Sequence, residues 1–466
     1  MKFSLVMKKM NTKNPIQKYI LFSLVTLFSI ACLYNINYSP LNDWDESRHI
    51  VSALQMIGSG NFIVNWWDSS PDMWNLKPPV SFLSIVGFSK LFGNSLLTLR
   101  MASISSGIVL VSLCSYIAVK RYGYLSAIAF MLLVLSCHNI ITSHGFRTAD
   151  PDSVYLLFAI SSVIVLSIGY NVKNISLAAL LISFSFLTKS WHALSFGFVF
   201  ILSYAYMFRS NGFKIKSILI PMLCFFSPIM IWLSIRYQYD GFVFLQQMID
   251  YDLLHRSSSQ IEGHYSSPWF YIKELFHSFL LVMIAFISSL IISLVTNGFK
   301  KTFSYDIIVL ITSISTLIIL FTLAGTRLPW YGYPHTLLIC FTSAALFSKS
   351  KKSWIIITFI LLPSSLIQVN KTIKEVSHYV IPDFYNQLSI INNEDNLNIY
   401  IPSSISQSER AAIMIYGDFT QNQIKYNGSD NEYYLFYRNS SEDNQSSSGC
   451  RIISSSKNIN IYRCKK

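Results

Sequence analysis

Acidic and basic side chains collect in a few polar stretches of an otherwise apolar sequence. The first stretch contains Asp45, Glu46 and Arg48, and Lys77 follows it, directly before two prolines. A carboxylate can act as a general base towards a hydroxyl or an amine, whereas arginine and lysine bind phosphate oxygens. This combination suits a substrate that carries a phosphate and also a group that must be deprotonated.

Further polar stretches contain the same residue types. The second stretch contains His144, Arg147, Asp150 and Asp152. The third lies within 237–274 and contains His255, Arg256 and His264. The fourth contains Arg327, Trp330 and Tyr331. Charged residues near a membrane interior are costly, which makes them functional candidates.

Helix capping is the simple alternative at two places. Asp45 and Glu46 begin a predicted interfacial helix over 47–57, and Asp150 before Pro151 suits a cap, which leaves Asp152 for another function.

The elements that must position these residues are membrane spans. Of the 466 residues, 52% are hydrophobic and only 13% are charged, with a mean hydropathy of +0.42. A soluble domain carries about 25% charged residues, and a run of about 20 apolar residues crosses the hydrocarbon layer of a membrane. We therefore predict an all-α polytopic membrane protein with about 11 transmembrane helices and exterior interfacial helices. The predicted spans are 18–38, 97–119, 122–142, 151–170, 174–188, 191–208, 216–236, 275–297, 303–324, 329–347 and 353–370.

The net charge of +13 is distributed unevenly between the two faces. The arm 1–17 and alternate connections carry lysine and arginine but almost no acids, which places them in the cytoplasm by the positive-inside rule. The loops 39–96 and 237–274 then lie on the exterior face of a bacterial cytoplasmic membrane. A cleaved signal peptide is the alternative for the first span, but the bulky residues after it favour an uncleaved helix. The lipid bilayer thus accounts for the charge, and we expect no nucleic acid partner.

The composition changes after residue 370. Residues 371–466 are rich in asparagine and serine, and the alternating runs 398–401, 433–437 and 459–462 predict strands. We expect a transmembrane domain over 18–370 and a small soluble exterior α/β or β domain over 371–466. Cys450 and Cys464 are its only cysteines, and an oxidising exterior would permit a bridge between them.

Five motifs follow one another in a characteristic order and spacing over about residues 18–350. They are Asp45-Glu46-x-Arg48, Lys77-Pro78-Pro79, Arg147-x4-Asp152, His255-Arg256 followed by Pro268-Trp269-x-Tyr271, and Arg327-x-Pro329-Trp330-Tyr331. This set resembles the polyprenyl-phosphate-sugar-dependent membrane glycosyltransferases, in particular the bacterial aminoarabinose transferase and protein mannosyltransferase group. The resemblance implies a C-type glycosyltransferase fold. It also implies hexosyl or pentosyl transfer from a polyprenyl-phosphate donor to a lipid, an envelope glycan or a protein.

The resemblance assigns functions to individual residues. Asp45 would be the acidic residue at the catalytic centre and the base for the acceptor, and Asp152 and Glu46 would be further acidic residues of the catalytic site. The residues implied to bind the donor phosphate are Lys77, Arg48, Arg256, Arg327 and Arg147, and those implied to line the substrate are His255, His264, Trp330 and Tyr331.

Two questions remain open in the sequence. Relatives commonly have an acidic residue before Lys-Pro-Pro, where this chain has Leu76. We therefore expect no obligatory metal and no other cofactor, although His255 and His264 are possible ligands of a divalent ion. A transporter or lipid flippase is the alternative function. Such proteins have internal repeats and broken helices at the membrane midplane, and the sequence shows neither.

Overall fold

The computed structural model describes residues 15–67, 70–259, 267–349, 353–388, 398–401, 405–417, 424–425, 432–438, 450–455 and 459–465. Most of these residues are helical. In chain order the helices up to residue 377 are α1 (Pro15–Leu33), α2 (Asp45–Ser59), α3 (Val80–Phe92), α4 (Leu96–Tyr122), α5 (Tyr124–Leu135), α6 (His138–Thr142), α7 (Asp152–Ile168), α8 (Val172–Lys189), α9 (Gly197–Asn211), α10 (Lys216–Asp240), α11 (Val243–Gln247), α12 (Arg256–Ser258), α13 (Phe270–His277), α14 (Leu280–Thr302), α15 (Tyr305–Leu323), α16 (Tyr333–Phe347), α17 (Ser353–Ile356) and α18 (Leu362–Ser377). Short 3-10 helices cover Ile36–Tyr38, Ser190–Phe196 and Pro329–Gly332, and π-helical segments cover Met248–His255 and Ile357–Leu361.

The chain is a multi-pass membrane protein, as the apolar runs predict. A helix lies in each of the predicted spans, and among the described residues six helical stretches are long and apolar enough to cross a membrane. The predicted spans 174–188 and 191–208 belong to a single stretch of 40 residues, Val172–Asn211. Its α-helical geometry is interrupted at Ser190, where φ is +58°.

The central core of the bundle lies where α4, α5, α7 and α16 pack together. Phe130 and Phe341 meet edge to face with their ring centroids 5.7 Å apart, and Phe28 meets Phe146 in the same way at 5.5 Å. A Cβ atom on Gly107 of α4 would come within 2.4 Å of the Phe146 ring. A glycine is required there because Phe146 packs directly onto the helix backbone. This packing fixes the segment that follows α6 and carries His144.

The long connection between α1 and α4 contains α2, α3 and a hairpin of β1 (Trp66–Trp67) and β2 (Ser70–Pro71). The helix predicted over 47–57 is confirmed as α2, although it begins two residues earlier, at Asp45. Its position at the membrane interface stays a prediction.

The C-terminal module follows α18, which extends to Ser377, beyond the predicted boundary at 370. It contains α19 (Asp383–Leu388), β3 (Asn398–Tyr400), α20 (Gln407–Tyr416), β4 (Ile424–Lys425), β5 (Glu432–Arg438), β6 (Cys450–Ser455) and β7 (Ile459–Lys465). The sheet order is β4-β3-β5-β7-β6, with β3 parallel to β4 and β5 and the other pairs antiparallel. The alternating runs 433–437 and 459–462 lie within β5 and β7, and the run 398–401 overlaps β3, which ends one residue earlier. Cys450 is disulfide-bonded to Cys464 across β6 and β7.

The C-terminal module packs against α2. Ile50 and Leu54 of α2 share a buried apolar cluster with Ala411 and Ile415 of α20. The backbone N–H of Ser408, in the first turn of α20, donates a hydrogen bond of 2.7 Å to Asp43, two residues before α2. The module therefore holds in place the helix whose first residue is Asp45.

Candidate active site

The two adjacent carboxylates at the start of α2 point into different environments. The Asp45 side chain is 38% exposed, whereas that of Glu46 is fully buried. Neither residue takes the N-cap position, which belongs to Trp44. Trp44 has a φ of +65°, a conformation that bulky side chains rarely adopt and that is often found next to functional sites. The simple capping alternative therefore does not explain Asp45.

Glu46 forms a buried ion pair with Arg100 of α4. Its carboxylate accepts hydrogen bonds from the Arg100 guanidinium at 2.7 and 3.1 Å, and from the backbone N–H groups of Asn42 and Ala149. These contacts use both oxygens and turn the side chain away from Asp45. They give Glu46 a structural function in place of the catalytic one that the motif resemblance implies.

His144 lies between two carboxylates. Its Nδ1 atom is 3.9 Å from an oxygen of Asp45 and 3.3 Å from an oxygen of Asp150. The ring stacks on the indole of Trp330, with centroids 3.6 Å apart. Burial would lower the pKa of His144, but the charges of Asp150 and Asp45 outweigh burial and raise it to about 9. His144 thus completes a group of two carboxylates and one imidazole beside Trp330.

Asp150 does not cap α7, contrary to the prediction. The position before the helix is occupied by Pro151, and no side chain caps the first turn. The Asp150 side chain is buried, and one of its oxygens forms an ion pair with His144. Burial would raise its pKa, but the charge of His144 outweighs burial and keeps the pKa of Asp150 below its ordinary value.

Two cations of the site lie beside Asp252. The Lys77 ammonium, just before Pro78, lies 3.2 Å from Asp252 of the segment Met248–His255. Arg256 donates a hydrogen bond of 3.3 Å to the Tyr331 hydroxyl, and its Nε lies 3.8 Å from Asp252. Asp252 therefore holds two cations together beside Tyr331.

Electrostatic coupling links these cations to Asp45. Burial lowers the pKa of Lys77, and the positive charge of Arg256 lowers it further, whereas the negative charges of Asp252 and Asp45 raise it. The pKa of Lys77 is lowered overall. Burial would raise the pKa of Asp252, but Lys77 and Arg256 outweigh burial and lower it. Among the predicted residues, Asp45, Lys77, Arg256, Trp330 and Tyr331 thus come together in one site.

Lys189 is a site residue that the sequence analysis missed. It ends α8, immediately before the interruption at Ser190, and its ammonium forms a buried ion pair with Asp152. The same ammonium lies 5.0 Å from the ring centroid of Tyr331. Asp152 is therefore not the freer carboxylate that the capping argument suggested, because it neutralises Lys189. The signal in the sequence was a lysine between two apolar runs.

Three arginines implied to bind phosphate make other contacts. Arg48 forms a bidentate pair with Asp72, at 2.9 and 3.0 Å, and its guanidinium lies 4.4 Å from the ring centroids of both Trp67 and Trp74. These contacts fix the hairpin of β1 and β2 on α2. Phosphate binding by Arg48 is therefore not supported by its contacts.

Arg147 and Arg327 are directed towards backbone carbonyls. Arg147 is buried and donates to the carbonyls of Ala31 and Cys32 near the end of α1. Arg327 donates twice to the carbonyl of Thr322 at the end of α15. Both arginines donate to carbonyls that a helix leaves unpaired at its end. These contacts differ from the contact with phosphate that the resemblance implies for Arg147 and Arg327.

The histidines expected to line the substrate are placed differently. His255 is exposed and lies beside Tyr251, with ring centroids 5.7 Å apart. His264 lies outside the described residues. His192 was not predicted, and its ring centroid lies 4.6 Å from that of Tyr331. Within the described part of the chain, the one group with metal-ligand spacing is Asp45, His144 and Asp150, whose ligand atoms lie within 4.8 Å of one another.

The fold matches that of a solved membrane protein over almost the whole chain. The crystal structure of ArnT from Cupriavidus metallidurans in the apo state has a TM-score of 0.73 and 10% sequence identity, covering 97% of this chain and 98% of that one. The chain has the fold of ArnT. The structure of ArnT bound to undecaprenyl phosphate has a TM-score of 0.71 and 11% identity, covering 95% of this chain and 97% of ArnT. No family model and no curated protein sequence matches this chain.

Proposed function

We propose that this protein is an integral-membrane glycosyltransferase. It moves a sugar from a polyprenyl-phosphate donor to a lipid, an envelope glycan or a protein. The observation that carries the proposal is that Asp45 interacts electrostatically with Lys77, whose ammonium and the Arg256 guanidinium both contact Asp252. A fold shared with ArnT, which was crystallised with undecaprenyl phosphate, supports a lipid-phosphate donor.

The reaction needs a base on one side of the sugar and cations on the other. Asp45 takes the proton of the acceptor hydroxyl or amine, whose lone pair forms a bond to the anomeric carbon of the donor. The bond between that carbon and the phosphate oxygen breaks, and its electron pair remains on the phosphate. Lys77 and Arg256 stabilise the charge that develops on this oxygen, so polyprenyl phosphate leaves as the second product.

The proposal includes a location and an orientation. The arm 1–17 would lie in the cytoplasm of a bacterium, and the active site and the C-terminal module would face the exterior of the cytoplasmic membrane. The connections assigned to the cytoplasm carry lysine and arginine but almost no acidic residues, as the positive-inside rule predicts. The disulfide between Cys450 and Cys464 supports the same orientation, because such bonds persist in oxidising compartments.

Donor turnover by the purified protein tests the proposal. The protein, in detergent micelles, is incubated with an undecaprenyl-phosphate-linked sugar and an envelope extract from cells that lack the gene. We expect mass spectrometry to show release of undecaprenyl phosphate and an extract component heavier by one sugar unit. Movement of chemically unchanged donor across proteoliposomes, without release of undecaprenyl phosphate, would contradict the proposal and support a flippase.

A further inference from the structure

Two exposed tryptophans form a pair next to the residues of the proposed active site. Trp44 is 59% exposed and Trp74 is 37% exposed. Their ring centroids lie 5.9 Å apart, and the ring planes are inclined by 40°. Trp44 directly precedes Asp45, and Trp74 lies three residues before Lys77. Exposed apolar groups that occur together, rather than singly, mark places where a ligand or a partner binds.

An arginine and a carboxylate hold the Trp74 indole in place. The Arg48 guanidinium lies 4.4 Å from the ring centroid of Trp74 and equally close to that of Trp67. Asp72 pairs with Arg48 through both of its oxygens and also accepts the backbone N–H of Trp74 at 2.9 Å. Asp72 therefore anchors both the cation that contacts the indole and the backbone that carries it. A side chain that is ordered before binding loses little entropy when a ligand arrives.

The C-terminal module contacts the residues around the tryptophan pair. Arg410 of α20 is buried, and its guanidinium lies 5.7 Å from the ring centroid of Trp67. The backbone N–H of Ser408 donates to Asp43, which is adjacent to Trp44. The module contains a five-stranded sheet, and in the hydrocarbon layer of a membrane only helices and closed barrels satisfy all their backbone groups. The tryptophan pair is therefore attached to a module that lies in water.

The charges around the pair favour a neutral ligand. Arg48 is neutralised by the buried Asp72. The indoles consequently present ring faces, which carry the partial negative charge of an aromatic quadrupole. One face of a sugar ring consists of C–H groups, which are apolar and carry a partial positive charge, so it packs well on an indole. The hydroxyl groups at the edge of the sugar stay in contact with water.

We propose that Trp44 and Trp74 form an acceptor subsite that binds a saccharide by stacking on its sugar rings. The inference rests on the proposed glycosyl transfer. It narrows the acceptor to a molecule whose reactive hydroxyl belongs to a saccharide or directly adjoins one. Because Trp44 is joined to Asp45 by a peptide bond, a sugar ring stacked on its indole is held near the carboxylate that takes the proton of the hydroxyl. Trp44 and Trp74 thus determine specificity, and Asp45 performs the proton transfer.

Saturation-transfer NMR measures saccharide binding without a donor. The probe is the lipid-free oligosaccharide fraction released by mild acid from the envelope of cells that lack the gene. It is added to purified full-length protein in micelles. We expect saturation transfer to the C–H protons of the sugar rings, and a loss of affinity of about 10-fold in Trp44→Ala and in Trp74→Ala. Tyr239→Ala, which removes an exposed aromatic ring at the end of α10, should bind like the wild type.

Conservative variants and kinetics separate a subsite from a structural function. Trp44→Phe and Trp74→Phe keep an aromatic face and should retain most of the affinity. In sugar transfer to the same oligosaccharides, Trp74→Ala should raise the KM of the acceptor by about 10-fold and leave kcat near the wild-type value, as loss of a binding contact predicts. A fall in kcat with an unchanged KM would overturn the subsite and assign Trp74 a structural function. The folding of each variant is checked by size-exclusion chromatography.

The outcomes separate the subsite from the proposed function. Wild-type protein that shows no saturation transfer, or alanine variants that bind as tightly as the wild type, would overturn the subsite. Quenching by phospholipids brominated in their tails that is lost in Trp44→Phe/Trp74→Phe would also overturn it, and would assign the pair to the membrane. Sugar transfer only to saccharide-free protein or lipid would overturn the acceptor class but support the proposed function. Saccharide binding that needs both tryptophans, without release of undecaprenyl phosphate, would support the subsite and contradict glycosyl transfer.

Discussion

Replacing Glu46 by glutamine removes the charge from one half of a fully buried ion pair. The carboxylate accepts two hydrogen bonds from Arg100, at 2.7 and 3.1 Å, and two from backbone N–H groups, at 2.9 and 3.1 Å. Glutamine keeps one acceptor oxygen, but its amide N–H₂ group must face a guanidinium or a backbone donor. Removing one partner of a buried pair costs about 3–5 kcal/mol, because the other charge remains buried and uncompensated. We expect Glu46→Gln to lower the free energy of unfolding by that amount.

Unfolding by SDS in mixed micelles measures this effect. A loss of about 3–5 kcal/mol reduces the ratio of folded to unfolded protein by roughly 150- to 5,000-fold. Arg100→Met should destabilise the protein to a similar extent, and the double variant should lose less than the sum of the two single losses. Under conditions in which Glu46→Gln is folded, it should retain donor turnover. Wild-type stability together with lost turnover would refute the structural function and support catalysis by Glu46.

Three other predictions concern Lys77, Lys189 and the disulfide. Burial lowers the pKa of Lys77 from its ordinary value of 10.5, so Lys77 should lose its charge, and kcat/KM for the donor should fall, as the pH rises towards that value. Lys77→Arg should remove this pH dependence. A pH profile of Lys77→Arg identical to that of the wild type would contradict phosphate binding by Lys77. Lys189→Met should reduce kcat/KM by about 10- to 150-fold, which corresponds to the free energy of one charged contact. If the loss arises from the unpaired charge left on Asp152, the double variant Lys189→Met/Asp152→Asn should regain activity. Reducing the disulfide bond between Cys450 and Cys464 should destabilise the C-terminal module by about 3 kcal/mol. Hydrogen exchange should then become faster in β6 and β7, while exchange in α16 stays the same. Equal exchange in β6 and β7 before and after reduction would contradict this prediction.

The membrane spans and the strands of the C-terminal module could be predicted from the sequence because each depends on local pattern. Runs of about 20 apolar residues form helices that cross a membrane, and alternation with a period of two forms strands. The interruption at Ser190 coincides with the predicted boundary between the spans 174–188 and 191–208, where Thr188, Lys189 and Ser190 separate two apolar runs. What the local sequence does not record is that both runs belong to a single helical stretch, Val172–Asn211.

The candidate site could be predicted only in part. Asp45, Lys77 and Tyr331 are recognisable by the order of their motifs, and the structure brings them together. Glu46 is an acidic residue adjacent to Asp45 in the same motif, but its partner Arg100 lies 54 positions later in an apolar helix. The contact of Arg147 with carbonyls near the end of α1 is likewise a long-range pairing. Residue type and spacing therefore identify candidates, whereas burial and pairing across helices decide which carboxylates and cations remain available to a substrate.

The measurement that tests the account most directly is donor turnover by Asp45→Asn beside a matched control. Asp250→Asn makes the same chemical change on an exposed residue of the segment Met248–His255. Both variants are purified, checked for folding, and incubated with an undecaprenyl-phosphate-linked sugar and acceptor extract. The account predicts that Asp45→Asn releases undecaprenyl phosphate at less than about one hundredth of the wild-type rate, the loss expected for a general base, while Asp250→Asn stays near the wild-type rate. Near-normal release by folded Asp45→Asn would contradict the central claim.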